Sequence, residues 1–246
     1  MPTAAIRVRH PWELARVNLV KAILYPFLSD IKEPKILDIG CGDRFLISEI
    51  SSKVNCSTTV AVDTELEDFI DRSQPAYADI KFTRDVEECE KEWADALLLL
   101  DVIEHQEDDL VFLKDLTKWY VKSCGVVLVT VPAFNSLFSQ HDEFLGHYRR
   151  YSRNELQNLV TASGLILVRS GYAFSTLLVP RLVIKLFEKT SKNRSRPNHL
   201  GEWQHGKVFT EFVRKILEID NSILMKLSES ELHLPGLTTW ALCKKS

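Results

Sequence analysis

The sequence has no C-x-x-C pair, no excess of basic residues and no run of the about 20 mostly apolar residues that crosses a bilayer. Its five cysteines are an odd and scattered set, which argues against a disulfide framework or a zinc site and is typical of a reducing cytoplasm. A net charge of −3 argues against general nucleic-acid binding, because that needs a clustered basic surface. Residues 1–10 lack the apolar core of a signal peptide. We therefore expect a cytoplasmic protein that binds no nucleic acid.

The sequence does contain a strand, a tight turn and a helix start between Lys35 and Lys53. Apolar residues surround Asp38 in the predicted strand, and two glycines, Gly40 and Gly42, follow it with one residue between them. Because glycine has no Cβ atom, the backbone can turn sharply there and a ligand can approach it closely. The helix start offers unpaired N–H groups to a polar or anionic group. Ligands of open α/β sheets bind at the carboxyl ends of strands, where Asp38 lies.

A second acid has the spacing found in nucleotide-binding folds. Asp63 ends the next predicted strand, 21 residues after Gly42, and is placed to accept hydrogen bonds from both hydroxyls of a ribose. The third glycine of the dinucleotide fingerprint is replaced by Phe45. Since that glycine lets the helix pack closely under a pyrophosphate, its loss favours a ligand with a ribose but no pyrophosphate. An α/β turn that binds no nucleotide is the alternative.

The stretch from Leu37 to Gly42 resembles the first motif of the class I S-adenosylmethionine-dependent methyltransferases, and Asp101-Val102-Ile103-Glu104-His105 resembles their motif after strand four. The resemblance implies S-adenosyl-L-methionine as cofactor, with the loop after strand four lining its methionine end. It also implies that Asp85 and Val86 contact the adenine, although Asp85 as a plain surface acid is the alternative. The residues expected to bind the cofactor are Asp38, Gly40, Cys41, Gly42, Asp63, Asp85, Val86, Leu100, Asp101 and Val102.

The resemblance also implies the fold, and the order of apolar segments agrees with it. We predict an α/β, Rossmann-like, seven-stranded, mostly parallel sheet with an antiparallel last strand and a helical insert between strands six and seven. Strand six is expected at 165–168 and strand seven at 237–242, with two helices in the long stretch between them, at 177–190 and 207–228. We assign residues 1–174 and 236–246 to the methyltransferase core and residues 175–235 to the insert, as a lid, a dimer contact or a membrane-facing element.

The insert is basic between Arg181 and Arg196, where six basic residues accompany one acid, Glu188. A basic amphipathic helix can lie on an anionic membrane. Peripheral contact with the inner face of the membrane through residues 177–196 is therefore one hypothesis, which would bring the protein to a lipid-linked acceptor. A soluble lid or a homodimer contact is the simpler account.

The segment from Phe134 to Tyr151 is a predicted substrate lid, because it leaves the carboxyl end of strand five and so faces the cofactor side. Residues 141–151 include two histidines, two acids, two tyrosines and two arginines. That mixture suits hydrogen bonding to an acceptor and exclusion of water. The His-Asp and Gly-His-Tyr-Arg-Arg-Tyr pattern resembles a bacterial branch described as type 11 or type 12 methyltransferases, which implies a small-molecule or saccharide acceptor. The alternative is a charged loop in which the arginines pair with Asp142 or Glu143.

A hydroxyl acceptor needs a general base, and histidine suits that role near neutral pH. His141 and His147 are the first candidates, with Asp142 orienting one of them, and His105 is a further candidate. The residues expected to bind the substrate are Tyr148, Arg149 and Arg150. Arginines can hold a phosphate or carboxylate as bidentate donors. We predict no metal, since one His141-Asp142 pair is thin support for the Mg²⁺ that some sugar methyltransferases use.

These patterns together predict an S-adenosylmethionine-dependent methyltransferase that methylates an oxygen of a small-molecule, saccharide or lipid-linked saccharide acceptor. One alternative is an NAD- or nucleotide-sugar-dependent oxidoreductase, which would need the missing third glycine or another pyrophosphate-binding turn. The other is a cofactor-binding module without catalytic activity.

Overall fold

The computed structural model describes residues 9–54, 58–66, 80–190, 203 and 205–246. Seven strands form one sheet in the order β3-β2-β1-β4-β5-β7-β6. The strands are β1 Lys35–Ile39, β2 Thr58–Val62, β3 Ile80–Thr83, β4 Ala94–Leu100, β5 Val121–Pro132, β6 Ile166–Ala173 and β7 Thr238–Lys244. Strands β1 to β5 pair in parallel, whereas β7 lies between β5 and β6 and is antiparallel to both. The predicted fold class and the place of the antiparallel strand are therefore confirmed.

Helices cover both faces of this sheet, as a parallel sheet requires. They are α1 Pro11–Leu28, α2 Phe45–Val54, α3 Asp109–Tyr120, α4 Gln140–Phe144, α5 Arg153–Ala162, α6 Ser175–Thr190 and α7 Lys207–Glu229. Successive strand residues point to opposite faces. Accordingly, Ile36 belongs to the core cluster that includes residues of α1, α2 and α7. Its neighbour Leu37 belongs to the cluster that includes residues of α3 and α5. Continuous apolar runs such as β4 are explained by this burial on both sides.

Helix α3 passes directly into a strand, since it ends at Tyr120 and β5 begins at Val121. The end of strand six differs from the predicted one. Strand β6 extends to Ala173, well beyond the predicted end at Val168. Its second half contains polar residues and does not read as an apolar strand, but backbone pairing with β7 holds it in the sheet. There Gly171 lies against the Trp240 ring, where a Cβ atom would stand 3.0 Å from a ring carbon.

The stretch between β6 and β7 forms two helices, as expected. Helix α7 packs on α1 and on β6, and its buried Leu217 belongs to the core cluster on that side of the sheet. Helix α6 packs on α7 and on the segment that follows β5. The structure does not describe the side chains of residues 186–190 or any part of the segment 191–202. The basic residues of that range, on which the membrane hypothesis depends, therefore lie outside the described residues. Among the described residues, no helix is both long and apolar enough to cross a membrane.

Candidate active site

The glycine turn stands at the carboxyl end of β1. Gly40 has φ +75° and Gly42 has φ +53°, a backbone conformation that side chains with a Cβ atom rarely adopt. The Gly40 N–H donates to the carbonyl of Val62 at 2.8 Å, which ties the turn to the end of β2. A Cβ atom at Gly40 would stand 2.6 Å from Cγ2 of Val102, whereas one at Gly42 would meet nothing within 4 Å. The turn is therefore closed on the Val102 side at Gly40 and open at Gly42.

Asp63 lies directly against this turn. Its Oδ2 accepts from the Gly42 N–H at 2.8 Å, and its Oδ1 accepts from the Glu65 N–H at 2.9 Å. Each carboxylate oxygen has two lone pairs. Both oxygens thus retain an acceptor position for a further donor such as a sugar hydroxyl.

Two more acids stand at neighbouring strand ends. Asp38 is buried, and burial raises its pKa to about 7, with Arg16 opposing the shift and Asp63 adding to it. Asp101, after β4, has φ +60°. Its Oδ2 pairs with Arg16 Nη2 at 2.8 Å, and its Oδ1 accepts from the hydroxyl of Thr130 at 3.3 Å. Helix α1 therefore contributes a cation to the same edge of the sheet.

The other predicted cofactor residues surround that edge. Leu100 and Val102 are buried at the end of β4, and Cys41 is buried within the turn, where burial raises the pKa of its thiol. Asp85 is exposed, and its carboxylate accepts from the Glu87 N–H at 2.8 Å, which caps a short 3-10 turn that begins at Val86. Asp85 therefore has at least a local structural role.

Asp142 is the centre of the predicted lid and is fully buried. Its carboxylate accepts from Ser139 N–H at 2.9 Å, from the ring Nδ1 of His147 at 3.0 Å, and from Arg150 through Nε at 2.7 Å and Nη2 at 3.1 Å. Burial opposes ionisation of this carboxyl, but the hydrogen bonds from His147 and Arg150 prevail and lower its pKa well below the usual range. Asp142 is therefore a buried anion, held by its neighbours.

The structure brings two of the three predicted catalytic histidines together. The rings of His105 and His147 meet edge to face, with centroids 4.5 Å apart. Partial desolvation by the surrounding protein atoms, at a residue that still reaches solvent, and the nearby His147 lower the pKa of His105. His141 lies on α4 and is not part of the cluster that His105 and His147 form. Burial lowers the pKa of His141. His105 and His141 thus favour the neutral form, in which a ring nitrogen can accept a proton.

Beside these two histidines lies Glu104, which is fully buried. Neither of its carboxyl oxygens has a hydrogen-bond partner. Burial, with a further contribution from Asp101, raises the pKa of Glu104 well above its usual value. The Tyr148 N–H donates to the Glu104 carbonyl at 2.8 Å, so a backbone hydrogen bond holds the end of the predicted lid next to this residue.

The predicted substrate residues have different surroundings. Tyr148 is exposed. Arg149 pairs with Asp109 at 2.9 Å and donates to the Glu107 carbonyl at 2.7 Å. Arg150 is buried, and both prongs of its guanidinium fork are taken by Asp142. The bidentate substrate contact expected of Arg150 is therefore replaced by an internal ion pair, as in the charged-loop alternative.

Two cations of the site were not anticipated from the sequence. Arg16 reaches Asp101 from α1. Arg181, on α6, donates to the Ser139 hydroxyl and lies 4.0 Å from Asp142. An arginine among the apolar residues of helix α1 was the available signal for Arg16. The position of Arg181 in the sequence carried none, because its partners are some forty residues away.

Comparisons with known proteins agree with this architecture. Residues 12–170 match the model of a family described as a methyltransferase domain, so the chain belongs to that family. No curated protein sequence matches the chain significantly.

Solved structures share the fold at low sequence identity. A SAM-dependent methyltransferase from Archaeoglobus fulgidus is 18% identical with a TM-score of 0.53, covering 95% of this chain and 97% of that one. The cyclase SpnF is 11% identical with a TM-score of 0.58, covering 98% and 84%. Phosphoethanolamine N-methyltransferase 2 from Haemonchus contortus, solved with S-adenosyl-L-methionine, is 16% identical with a TM-score of 0.53, covering 93% and 52%. Identities this low establish a common fold and leave the reaction to the residues of the site.

Proposed function

We propose that this protein is an S-adenosylmethionine-dependent methyltransferase that acts on an oxygen of a small-molecule, saccharide or lipid-linked saccharide acceptor. The observation that carries the proposal is the place of Asp63 against the Gly42 N–H, at 2.8 Å. A carboxylate beside a glycine turn is suited to ribose hydroxyls, and Phe45 stands where a pyrophosphate site would need its third glycine. The methyltransferase family of the chain supports the same cofactor.

The residues present fit this cofactor. The open side of the turn at Gly42 leaves room for a ligand next to the backbone, and Asp63 retains acceptor positions on both oxygens. We assign the ribose to Asp63, the methionine end to the backbone of Asp101 and Val102, and the adenine to Asp85 and Val86. Asp38, Gly40, Cys41 and Leu100 shape the same pocket. When bound, the sulfonium supplies both the methyl group and its own leaving group.

The chain itself must then align the acceptor, exclude water and receive the acceptor's proton. We propose that the pair His105 and His147 receives it, with Asp142 holding the Nδ1 side of His147. His141 remains a further candidate for the base. Tyr148 is exposed, and we propose that its ring and hydroxyl contact the acceptor.

Calorimetric titration with S-adenosylmethionine and, separately, NAD tests the cofactor. We expect saturable binding of S-adenosylmethionine, none of NAD, and at least tenfold weaker S-adenosylmethionine binding in Asp63→Ala, since charge-assisted hydrogen bonds contribute about 1.5–3 kcal/mol each. Glu65→Ala is the matched control, because Glu65 is exposed and contacts Asp63 only through its backbone. Binding of NAD alone would favour the oxidoreductase.

A panel of candidate acceptors incubated with methyl-labelled cofactor tests catalysis. A cofactor-binding module without catalytic activity would transfer label to none of the acceptors.

We also propose that α6 contributes a peripheral contact surface, either to a membrane or to a second copy. Val179, Leu182, Val183 and Ile184 are exposed apolar residues of this helix. Two of its basic residues, Arg181 and Lys185, bind hydroxyl or carbonyl groups of the segment 136–139, so the apolar residues rather than these charges support the contact. Flotation with anionic and neutral vesicles, together with light scattering for the oligomeric state, tests it. A monomer that floats with neither kind of vesicle would contradict it.

A further inference from the structure

We propose that Glu104, His105 and His147 form a binding site for a divalent transition-metal cation at the mouth of the methyl-transfer pocket. Each of the three residues offers a ligand atom, and these atoms lie within 4.8 Å of one another. A cation that bonds to each at about 2.1 Å holds donors up to about 4.2 Å apart, so small side-chain rotations bring the set to ligating distance.

The buried carboxylate of Glu104 is the independent observation that points to a ligand. It is fully buried, and both of its oxygens lack a hydrogen-bond partner. An unsatisfied buried polar group is costly, and an unpaired buried charge more so. The cations nearby are already matched to other acids, since Arg150 pairs with Asp142 at 2.7 Å and Arg16 with Asp101 at 2.8 Å. A bound cation would give Glu104 the partner that the protein side chains do not.

The hydrogen bonds around His147 are those expected of a histidine that binds a metal and is held in place by its neighbours. Its Nδ1 lies 3.0 Å from Asp142, which leaves Nε2 as the free ring nitrogen. Metal-binding histidines characteristically donate their other nitrogen to a carboxylate, which fixes the ring and its tautomer. Asp142 is held in turn by Arg150 and Ser139. The lid therefore presents His147 to Glu104 and His105 on a rigid support.

The donor set selects the type of cation. Two imidazoles and one carboxylate suit Zn²⁺, Mn²⁺ or Fe²⁺, and they suit Mg²⁺ and Ca²⁺ poorly because those ions prefer oxygen ligands. Three protein ligands also leave coordination positions open. On the proposed function, those positions would take the acceptor oxygen. Because His105 and His147 would then be ligands, the acceptor's proton would pass to His141, the remaining candidate for the base. This revises the prediction that the protein has no metal.

Mn²⁺ titration of the chelator-treated protein tests the site. Binding is measured as the loss of the electron paramagnetic resonance signal of free Mn²⁺. We expect one Mn²⁺ bound per chain, competition by Zn²⁺ and little competition by equimolar Mg²⁺. Glu104→Gln should weaken Mn²⁺ binding at least tenfold. Glu107→Gln, an exposed acid on the same stretch, should leave it unchanged. Because His105 is exposed, His105→Gln provides a second variant that keeps the fold if Glu104→Gln does not.

The absence of saturable Mn²⁺ and Zn²⁺ binding by the parent would overturn the site and leave Glu104 as a buried neutral acid. Equal binding by the parent, Glu104→Gln and His105→Gln would overturn it as well. Calorimetry with S-adenosylmethionine on the same metal-free samples separates this result from the proposed function. Metal binding without cofactor binding would reject the methyltransferase proposal only, and the converse would reject the metal site only.

Discussion

The ring Nδ1 of His147 lies 3.0 Å from Oδ1 of Asp142, and the same carboxylate accepts two hydrogen bonds from the Arg150 guanidinium. The buried Asp142 carboxylate thus orients His147 and forms an ion pair with Arg150 within the same segment. The Arg150 Nη1 donates to the Ala133 carbonyl at 3.3 Å, next to the end of β5. The orientation of the histidine is therefore linked to the sheet itself.

Removing this anion should destabilise the fold as well as the site. Asp142→Asn leaves the buried Arg150 without its counter-charge, and breaking a buried ion pair by removing one partner costs about 3–5 kcal/mol. We expect a loss of that order in the free energy of unfolding, measured by urea denaturation. Glu143→Gln, at the exposed neighbouring position, should change it by less than about 0.5 kcal/mol. Equal stabilities of the two variants would show that Asp142 carries little of the lid's stability.

Local sequence patterns were sufficient for the sheet and for the glycine turn. The insert helices predicted at 177–190 and 207–228 are observed at Ser175–Thr190 and Lys207–Glu229, because helical spacing of apolar residues is determined by nearby residues. The approach of Asp63 to Gly42 followed from their spacing along the chain. The ion pair of Arg16 with Asp101 joins residues 85 positions apart, and no local pattern specifies such a contact.

The segment 134–151 was singled out by its composition, but the roles of its residues were not separable from sequence. Arg149 and Arg150 are adjacent and chemically identical, yet one pairs with Asp109 near the surface and the other is buried on Asp142. The difference arises from how the segment returns to β5, where the Tyr151 N–H donates to the Pro132 carbonyl. The cluster of Glu104 with His147 depends on the same return, since the Tyr148 N–H binds the Glu104 carbonyl.

Gly40 should be more sensitive to alanine than a glycine that also has a positive φ but has open space around it. Gly164 is that control, because its φ is +90° and a Cβ atom there would meet nothing within 4 Å. A left-handed conformation costs a residue with a Cβ atom about 1–2 kcal/mol, which we expect for Gly164→Ala. Gly40→Ala should cost more, because its Cβ would stand 2.6 Å from Val102. It should also weaken S-adenosylmethionine binding.

A double substitution separates the clash from the strain. Val102→Ala removes the Cγ2 atom that the new Cβ would meet, so Gly40→Ala should destabilise the Val102→Ala protein less than it destabilises the parent. Thermal unfolding of the four proteins of this cycle measures the coupling between the two positions. If the cost of Gly40→Ala is the same in both backgrounds, the contact with Val102 is not what requires glycine there.

Burial of Asp38 should make the stability of the ligand-free protein fall as the pH rises. Its pKa in the folded protein is about 7, above the value of about 3.9 for an unfolded chain. Between these two values the folded state binds more protons than the unfolded state, so raising the pH favours unfolding. The loss is complete above pH 7 and amounts to at most about 4 kcal/mol, at 1.36 kcal/mol for each pH unit between the two pKa values.

Asp38→Asn removes this titration, since an amide carries no charge at any of these pH values. Thermal unfolding between pH 4.5 and 8 should show the parent losing stability relative to the Asp38→Asn protein up to about pH 7, after which the two curves run parallel. Asp30→Asn, at an exposed position after α1, is the matched control and should follow the parent throughout. Parallel curves for the parent and Asp38→Asn over the whole range would mean that Asp38 is ionised in the folded protein, with Arg16 as the cation that stabilises it.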